Sequence, residues 1–269
     1  MRYFYFGTKR LFVANVIMLY LALVNLIINM QKIIVLAALL LTLSVVSKAQ
    51  TAPIVRKPSQ INENTIVKDS VGSIMPYTVW RPLLMTGRYS LRSKTIAGAE
   101  VSEYTLTRVS DAQFETNRSA FKPHESPYFT TGTPFKHFKE RDMNGHRFDT
   151  KALAGKVIVL NFWFVNCSPC RMEIPELNKI AEQYKDNPNV VFIAMALDDA
   201  NTLKDFLKTT PFKYSIIDNA RYIAEKYGIK SYPTNVVIDK AGNVKFHSNG
   251  YGSSTPYWIE KEIAAALKP

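Results

Sequence analysis

Apolar and polar positions follow three different patterns along this chain of 269 residues. The first is two near-continuous apolar runs. Residues 11–28, LFVANVIMLYLALVNLII, reach the eighteen-residue lower limit for a membrane-crossing helix, weakened by Asn15 and Asn25. Behind Met30 and Lys32, residues Ile33 to Val46 form a fourteen-residue apolar core, and Ser47-Lys48-Ala49 sets small residues at −3 and −1 before Gln50. Charge, apolar core and small-residue site in that order describe an export leader. Residues 1–49 are therefore expected to export the rest, either as a signal peptide starting at Met30 or as an N-terminal membrane anchor over residues 11–28. No cysteine follows the leader, so a lipoprotein anchor is excluded.

The second pattern, residues 50–130, is broken. From Thr51 to about Asp69 the chain is polar, with Pro53 and Pro58, and reads as a linker. Short β-like stretches follow at Tyr77 to Trp80, Tyr89 to Leu91 and Val101 to Val109, punctuated by Gly87 and Gly98. This is a small β-rich extension. Trp80, Tyr89 and Tyr104 are read as packing a small core rather than lining a ligand surface, and His124 and His137 as surface histidines.

The third, residues 131–269, alternates between two periods. Lys156 to Phe164 and Val190 to Ala196 are apolar runs of the kind found in central strands, and Asn235 to Ile238 is expected to form a hairpin with Val244-Lys245-Phe246. Helical spacing covers Pro169 to Tyr184, Ala200 to Leu207, Ala220 to Tyr227 and Trp258 to Leu267. Strand–helix–strand order ending in a hairpin and a helix predicts a three-layer α/β sandwich around a central mixed sheet.

Composition changes this picture little. Apolar residues make up 47% and charged residues 21%, which excludes a wholly disordered chain. The net charge of +12 draws five basic residues and no acid from residues 1–49, and the remaining charge forms no Lys/Arg block. Nucleic acid is not an expected partner.

The cysteine count changes it a great deal. Cys167 and Cys170 are the only two, in Asn166-Cys167-Ser168-Pro169-Cys170, where the first long strand passes into the first long helix. A C-x-x-C beside a β–α pattern reads as a redox pair. Helix N-terminal amides and the macrodipole stabilise a thiolate there. Cys167 is expected to be the exposed thiol and Cys170, a turn further in, the buried one. Pro169 suits a first helical turn, where its missing N–H costs nothing. The rival reading is a metal: two thiolates hold Cu(I), or half of a zinc site. The four histidines lie far off in sequence, so no metal ligands are assigned.

The stretch NFWFVNCSPCRMEIPEL resembles the active-site segment of the exported TlpA/ResA-like thiol-disulfide oxidoreductases, which have the thioredoxin fold. Phe162-Trp163 before the motif, Pro175 five residues after Cys170, Tyr232-Pro233-Thr234 before a strand, and the lead-in segments Asp142-Met143-Asn144-Gly145 and Leu153-Ala154-Gly155-Lys156 add to the likeness, which covers about residues 131–267. The resemblance implies Cys167 as nucleophile and Cys170 as resolving thiol. It implies a cis bond before Pro233, presenting the Tyr232 backbone to a peptide, and structural roles for Trp163, Pro169 and Pro175. It implies that Glu173 raises the proton affinity of Cys170 and takes its proton, although by sequence alone a glutamate early in a helix reads as solvated. Two positions depart from the pattern: Asn161 stands where thioredoxins carry a buried aspartate, and Asn166 where a tryptophan usually precedes the first cysteine.

The implied activity is that of a protein-disulfide reductase in the periplasm or cell envelope. It needs no cofactor beyond the dithiol, and a membrane electron donor re-reduces it. A disulfide oxidase or isomerase, or a Cu(I)-binding chaperone using the same cysteines, is the alternative. No Pro-x-x-x-Thr-x-x-Cys segment is present, which disfavours peroxiredoxin chemistry.

Overall fold

A computed structural model describes residues 18–21, 23–34, 61–94 and 103–268. The chain divides into two units, Met1–Ser59 and Gln60–Pro269. In the first unit the described residues are helical. Among the described residues no helix is long and apolar enough to cross a membrane. Residues 11–17, most of the apolar core behind Lys32 and the expected cut before Gln50 lie outside the described residues.

The second unit begins with the extension. Its strands β1 (Val67–Lys68) and β2 (Ile74–Met75) are followed by helix α1 (Tyr77–Met85), strands β3 (Tyr89–Lys94) and β4 (Glu103–Arg108), and helix α2 (Asp111–Ala120). The four strands form a sheet in the order β2-β1-β4-β3, with β1 and β4 parallel and the other pairs antiparallel. Tyr77 to Trp80, expected as a strand, is the start of a helix. Its residues favour strands locally, but Trp80, Leu83 and Leu84 recur at helical spacing and pack on Val67 and Leu106. Trp80 is fully buried, with Tyr89 and Tyr104 against the same cluster, so these aromatics form a core. Helix α2 was not expected. Ser110 caps it, accepting a hydrogen bond from the Gln113 N–H at 3.2 Å.

The extension approaches the rest of the unit closely at Gly87. Gly87 has φ +72°, and a Cβ built there would lie 2.2 Å from Ser253 Oγ. Beyond α2 the chain runs along the main sheet. The Ser126 N–H donates to His247 Nδ1 at 3.0 Å, and Phe129, Phe135 and Phe138 pack with Tyr227. A hairpin of β5 (Lys139–Arg141) and β6 (Arg147–Asp149) leads into the main sheet. His137 is half-buried and bonded to Thr150 rather than free at the surface.

The expected sandwich follows: β7 (Val157–Trp163), α3 (Ser168–Gln183), β8 (Val190–Ala196), α4 (Ala200–Thr209), β9 (Ser215–Ile217), α5 (Arg221–Lys226), β10 (Thr234–Ile238), β11 (Val244–Asn249) and α6 (Thr255–Leu267). The sheet order is β11-β10-β7-β8-β9. β7, β8 and β9 run parallel, while β10 and β11 are antiparallel additions, so the sheet is mixed. All seven residues of β7 are buried, as its position in the middle requires. Alternation sends Val157, Val159 and Trp163 to a core shared with α3 and α6, and Ile158, Leu160 and Phe162 to a core shared with α5. Asn161 and Asn235 belong, by the same alternation, to the α3 face.

Candidate active site

Strand β7 ends at Trp163 and the chain turns into α3 within four residues. The turn is held from two sides. The Cys167 N–H donates to Phe164 O at 3.1 Å, and the Val165 N–H donates to the Asp198 carboxylate at 2.7 Å. Cys167 is itself the N-cap of α3: its Sγ accepts the Cys170 N–H at 3.2 Å, and its carbonyl accepts the Arg171 N–H at 3.0 Å. A sulfur in the capping position receives an amide that the helix otherwise leaves unpaired. Pro169 occupies the first turn, where no N–H is needed.

Cys167 and Cys170 are joined by a disulfide, with Cα atoms 5.2 Å apart. The expected order of exposure holds, but the expected exposed thiol does not: Cys167 is 5% exposed and Cys170 1%. The bridge packs in the core that contains Trp163, Ile174 and Leu177, and Phe164 and Tyr232 lie against that core. Trp163 is fully buried between Phe206 and Phe212, with ring centroids 5.5 Å from each.

The Tyr232–Pro233 bond is cis. The loop is anchored by the Gly250 N–H to Pro233 O at 2.8 Å, by Thr234 Oγ1 to Ser231 O at 2.9 Å, and by Ser231 Oγ to Asn249 Oδ1 at 2.9 Å. The Tyr232 ring stands edge-on to Phe164 with centroids 5.5 Å apart, bringing the loop to the turn before Cys167. Pro175 lies inside α3 and shares with Tyr251, Arg88 and Arg118 the lining of a cavity of about 310 Å³ between the extension and this helix.

Glu173 corrects the solvated reading. It is 1% exposed, on the α3 face turned to the sheet. Its Oε1 accepts from Asn161 Nδ2 at 2.6 Å, and its Oε2 from Asn235 Nδ2 at 3.2 Å. Burial raises its proton affinity to a pKa of about 8, with the donors Asn235 and Asn161 pulling the other way. Where thioredoxins place an ionisable aspartate in the strand, this chain has the amide of Asn161, and the titratable group sits on the helix instead.

Asn235 and Asp198 were missed. Asn235 lies two residues beyond the cis-proline as a polar residue in an otherwise apolar strand, which is a readable signal. Asp198, beyond the end of β8, reaches the site only through the fold, and nothing local marks it. Among the described residues no three His, Cys, Asp or Glu side chains converge as metal ligands.

The family model described as Redoxin matches residues 130–267. Two relatives named thiol-disulfide oxidoreductase ResA are similar to the chain. One, from Bacillus thuringiensis, is 34% identical over 115 residues, 42% of this chain and 66% of the relative. The other, from Halalkalibacterium halodurans, is 30% identical over 134 residues, 49% of this chain and 74% of the relative. Residues 61–129 have no part in the family match, and the chain spans just under two thirds of the Bacillus relative. The solution structure of a candidate protein disulfide isomerase from Bacteroides thetaiotaomicron shares the fold, with a TM-score of 0.50 and 23% identity over 55% of this chain and 96% of that one.

Proposed function

The chain belongs to the redoxin family, among its ResA/TlpA-like thiol-disulfide oxidoreductases, and from that premise we propose that it reduces protein disulfides through Cys167 and Cys170. The observation that carries this reading is a disulfide-bonded cysteine pair at the N-terminus of α3 with a buried, hydrogen-bonded carboxyl three residues further on. In the disulfide form the Cys167 sulfur receives the Cys170 N–H at the positive end of the helix, and the same placement favours the Cys167 thiolate once the bridge is reduced. That thiolate attacks one sulfur of a substrate disulfide. A Cys167–substrate bond forms, and the other substrate sulfur leaves as a thiolate. Glu173 then takes the Cys170 proton, and the Cys170 thiolate attacks Cys167 Sγ. The second substrate thiolate leaves, and the protein holds the disulfide described above. Two electrons pass from the dithiol to the substrate.

A carboxyl with a pKa of about 8 is suited to this step. Its proton affinity lies close to the ordinary value of a thiol, about 8.5, so transfer between them is nearly balanced. The Tyr232 backbone, just before the cis bond to Pro233, is where a substrate strand pairs, and Tyr232 and Phe164 give that strand an apolar rim. No cofactor beyond the dithiol enters the cycle. We place the chemistry outside the cytosol, after export by residues 1–49, with a membrane donor restoring the dithiol. N-terminal sequencing of the mature protein checks the export step.

Redox titration of the Cys167–Cys170 pair against glutathione tests the direction. A reductase requires a midpoint toward the thioredoxin end of the scale, at about −270 mV. A midpoint near about −120 mV would make the protein an oxidase and defeat the reductase reading.

A further inference from the structure

We propose that Asn235 is a positioning residue for disulfide exchange, favouring the charged form of Glu173 against its burial by fixing which way the buried amides point. The inference rests on the reading of Glu173 as the proton acceptor. Asn161 and Asn235 are direct register partners across the antiparallel pair β7–β10, and both side chains are buried. Asn161 Nδ2 uses its two hydrogens on Glu173 Oε1, at 2.6 Å, and on Asn235 Oδ1, at 2.9 Å. With its oxygen taken, Asn235 must turn its own Nδ2 toward Glu173, where it lies 3.2 Å from Oε2 and 3.4 Å from Oε1.

Only donors therefore face the carboxyl. A donor favours the charged form, and no amide oxygen is left to receive the proton of the neutral form. Were Asn235 reversed, its oxygen would meet a carboxylate oxygen and its Nδ2 would meet that of Asn161. The reversed arrangement suits only a protonated Glu173. The ring Asn161–Asn235–Glu173 thus opposes burial from one side of the site.

The other titratable groups around Glu173 do not supply this support. The phenol of Tyr214, before β9, is buried and that of Tyr251, after β11, is half-buried, and the Glu173 charge raises their own proton affinity further. Glu176, the next acid on α3, also acts on Tyr251. The Cys167–Cys170 pair lies one turn back on the same helix. None of these is a cation, and the amides carry the opposing effect alone among the groups that shift Glu173.

The test uses the full protein labelled with ¹³C at glutamate side chains. The Glu173 carboxyl is titrated by NMR in the oxidised state, and the resolving step is followed from a preformed Cys167 mixed disulfide with glutathione over the same pH range. Asn235→Leu keeps the side-chain volume and removes the donor. It should raise the Glu173 midpoint by about one to two pH units, the worth of a hydrogen bond to a charged group. The pH profile of the resolving step should move with it, costing about tenfold in rate at pH 7 for each unit. A folded Asn235→Leu protein with an unmoved carboxyl midpoint overturns the inference. A midpoint that moves while the resolving profile stays leaves the Asn235 inference standing and removes Glu173 from the proposed cycle. Should the leucine variant fail to fold, Asn235→Ala carries the same expectations.

Discussion

The five-stranded sheet and the four-stranded sheet of the extension both come from alternating side chains, yet they spend their burial differently. The larger sheet is covered on both faces and hides polar groups at its centre: Asn161, Asn235 and, from the helix above, Glu173. The smaller sheet gathers a core of Val67, Trp80 and Leu106 and buries no ionisable side chain among the described residues. A buried carboxyl costs free energy that only a large apolar core offsets. The contrast explains why the reactive chemistry lies in one region and not in the other.

That contrast is sharpest in its dependence on pH. The Glu173 carboxyl is raised from 4.5 to about 8 in the folded protein. Below pH 4.5 both folded and unfolded forms are protonated and the group costs nothing. Between there and pH 8 the unfolded chain ionises first, so stability falls as pH rises. Above pH 8 the full cost is present, about 5 kcal/mol for a difference of 3.5 units. Glu173→Gln should therefore stabilise the oxidised protein by up to about 5 kcal/mol at pH 9 and leave it unchanged at pH 4. Denaturant melts at the two pH values check this, and an equal effect at both would show that the carboxyl is not held neutral by burial.

The extension should fail in the opposite manner. Trp80→Ala removes the largest part of its core and should cost about 3–5 kcal/mol locally. Hydrogen exchange at β3 and β4 should rise steeply, while reduction of the Cys167–Cys170 bridge by a thiol keeps its rate. Loss of bridge reactivity in this variant would break the separation drawn between the two regions.

The smallest effect belongs to their junction. Gly87→Ala forces a side chain into a left-handed backbone position and against Ser253 Oγ. It should cost about 2 kcal/mol and lower Tm by roughly 4–8 °C. An unchanged Tm would mean that the extension rests on the domain without that close approach.

How far each region was readable follows from the same physics. Runs such as Val157–Trp163 and Val190–Ala196 are largely apolar on both faces, as a central strand requires, and their limits lie close to those expected. The cysteine pair is legible because its spacing is short, and the cis-proline loop through the resemblance that Tyr232-Pro233-Thr234 carries. Tyr77 to Trp80 departs from the strand expectation because strand-favouring side chains there are overruled by the packing of Trp80 across the extension. Ser110-Asp111-Ala112-Gln113 is a capping-box pattern that could have revealed α2. The setting of Glu173 depends on Asn161 and Asn235, 74 residues apart in sequence, and no local pattern joins them.

The pairing of β10 with β7 has a further meaning. Neighbouring residues of a strand point to opposite sides, so a slip of one position would swing Asn235 away from the helix and put an aliphatic side chain in its place. The register of β10 against β7 thus decides which side chain meets the Glu173 carboxyl. In this protein the surroundings of a buried acid are written into the stagger of a sheet.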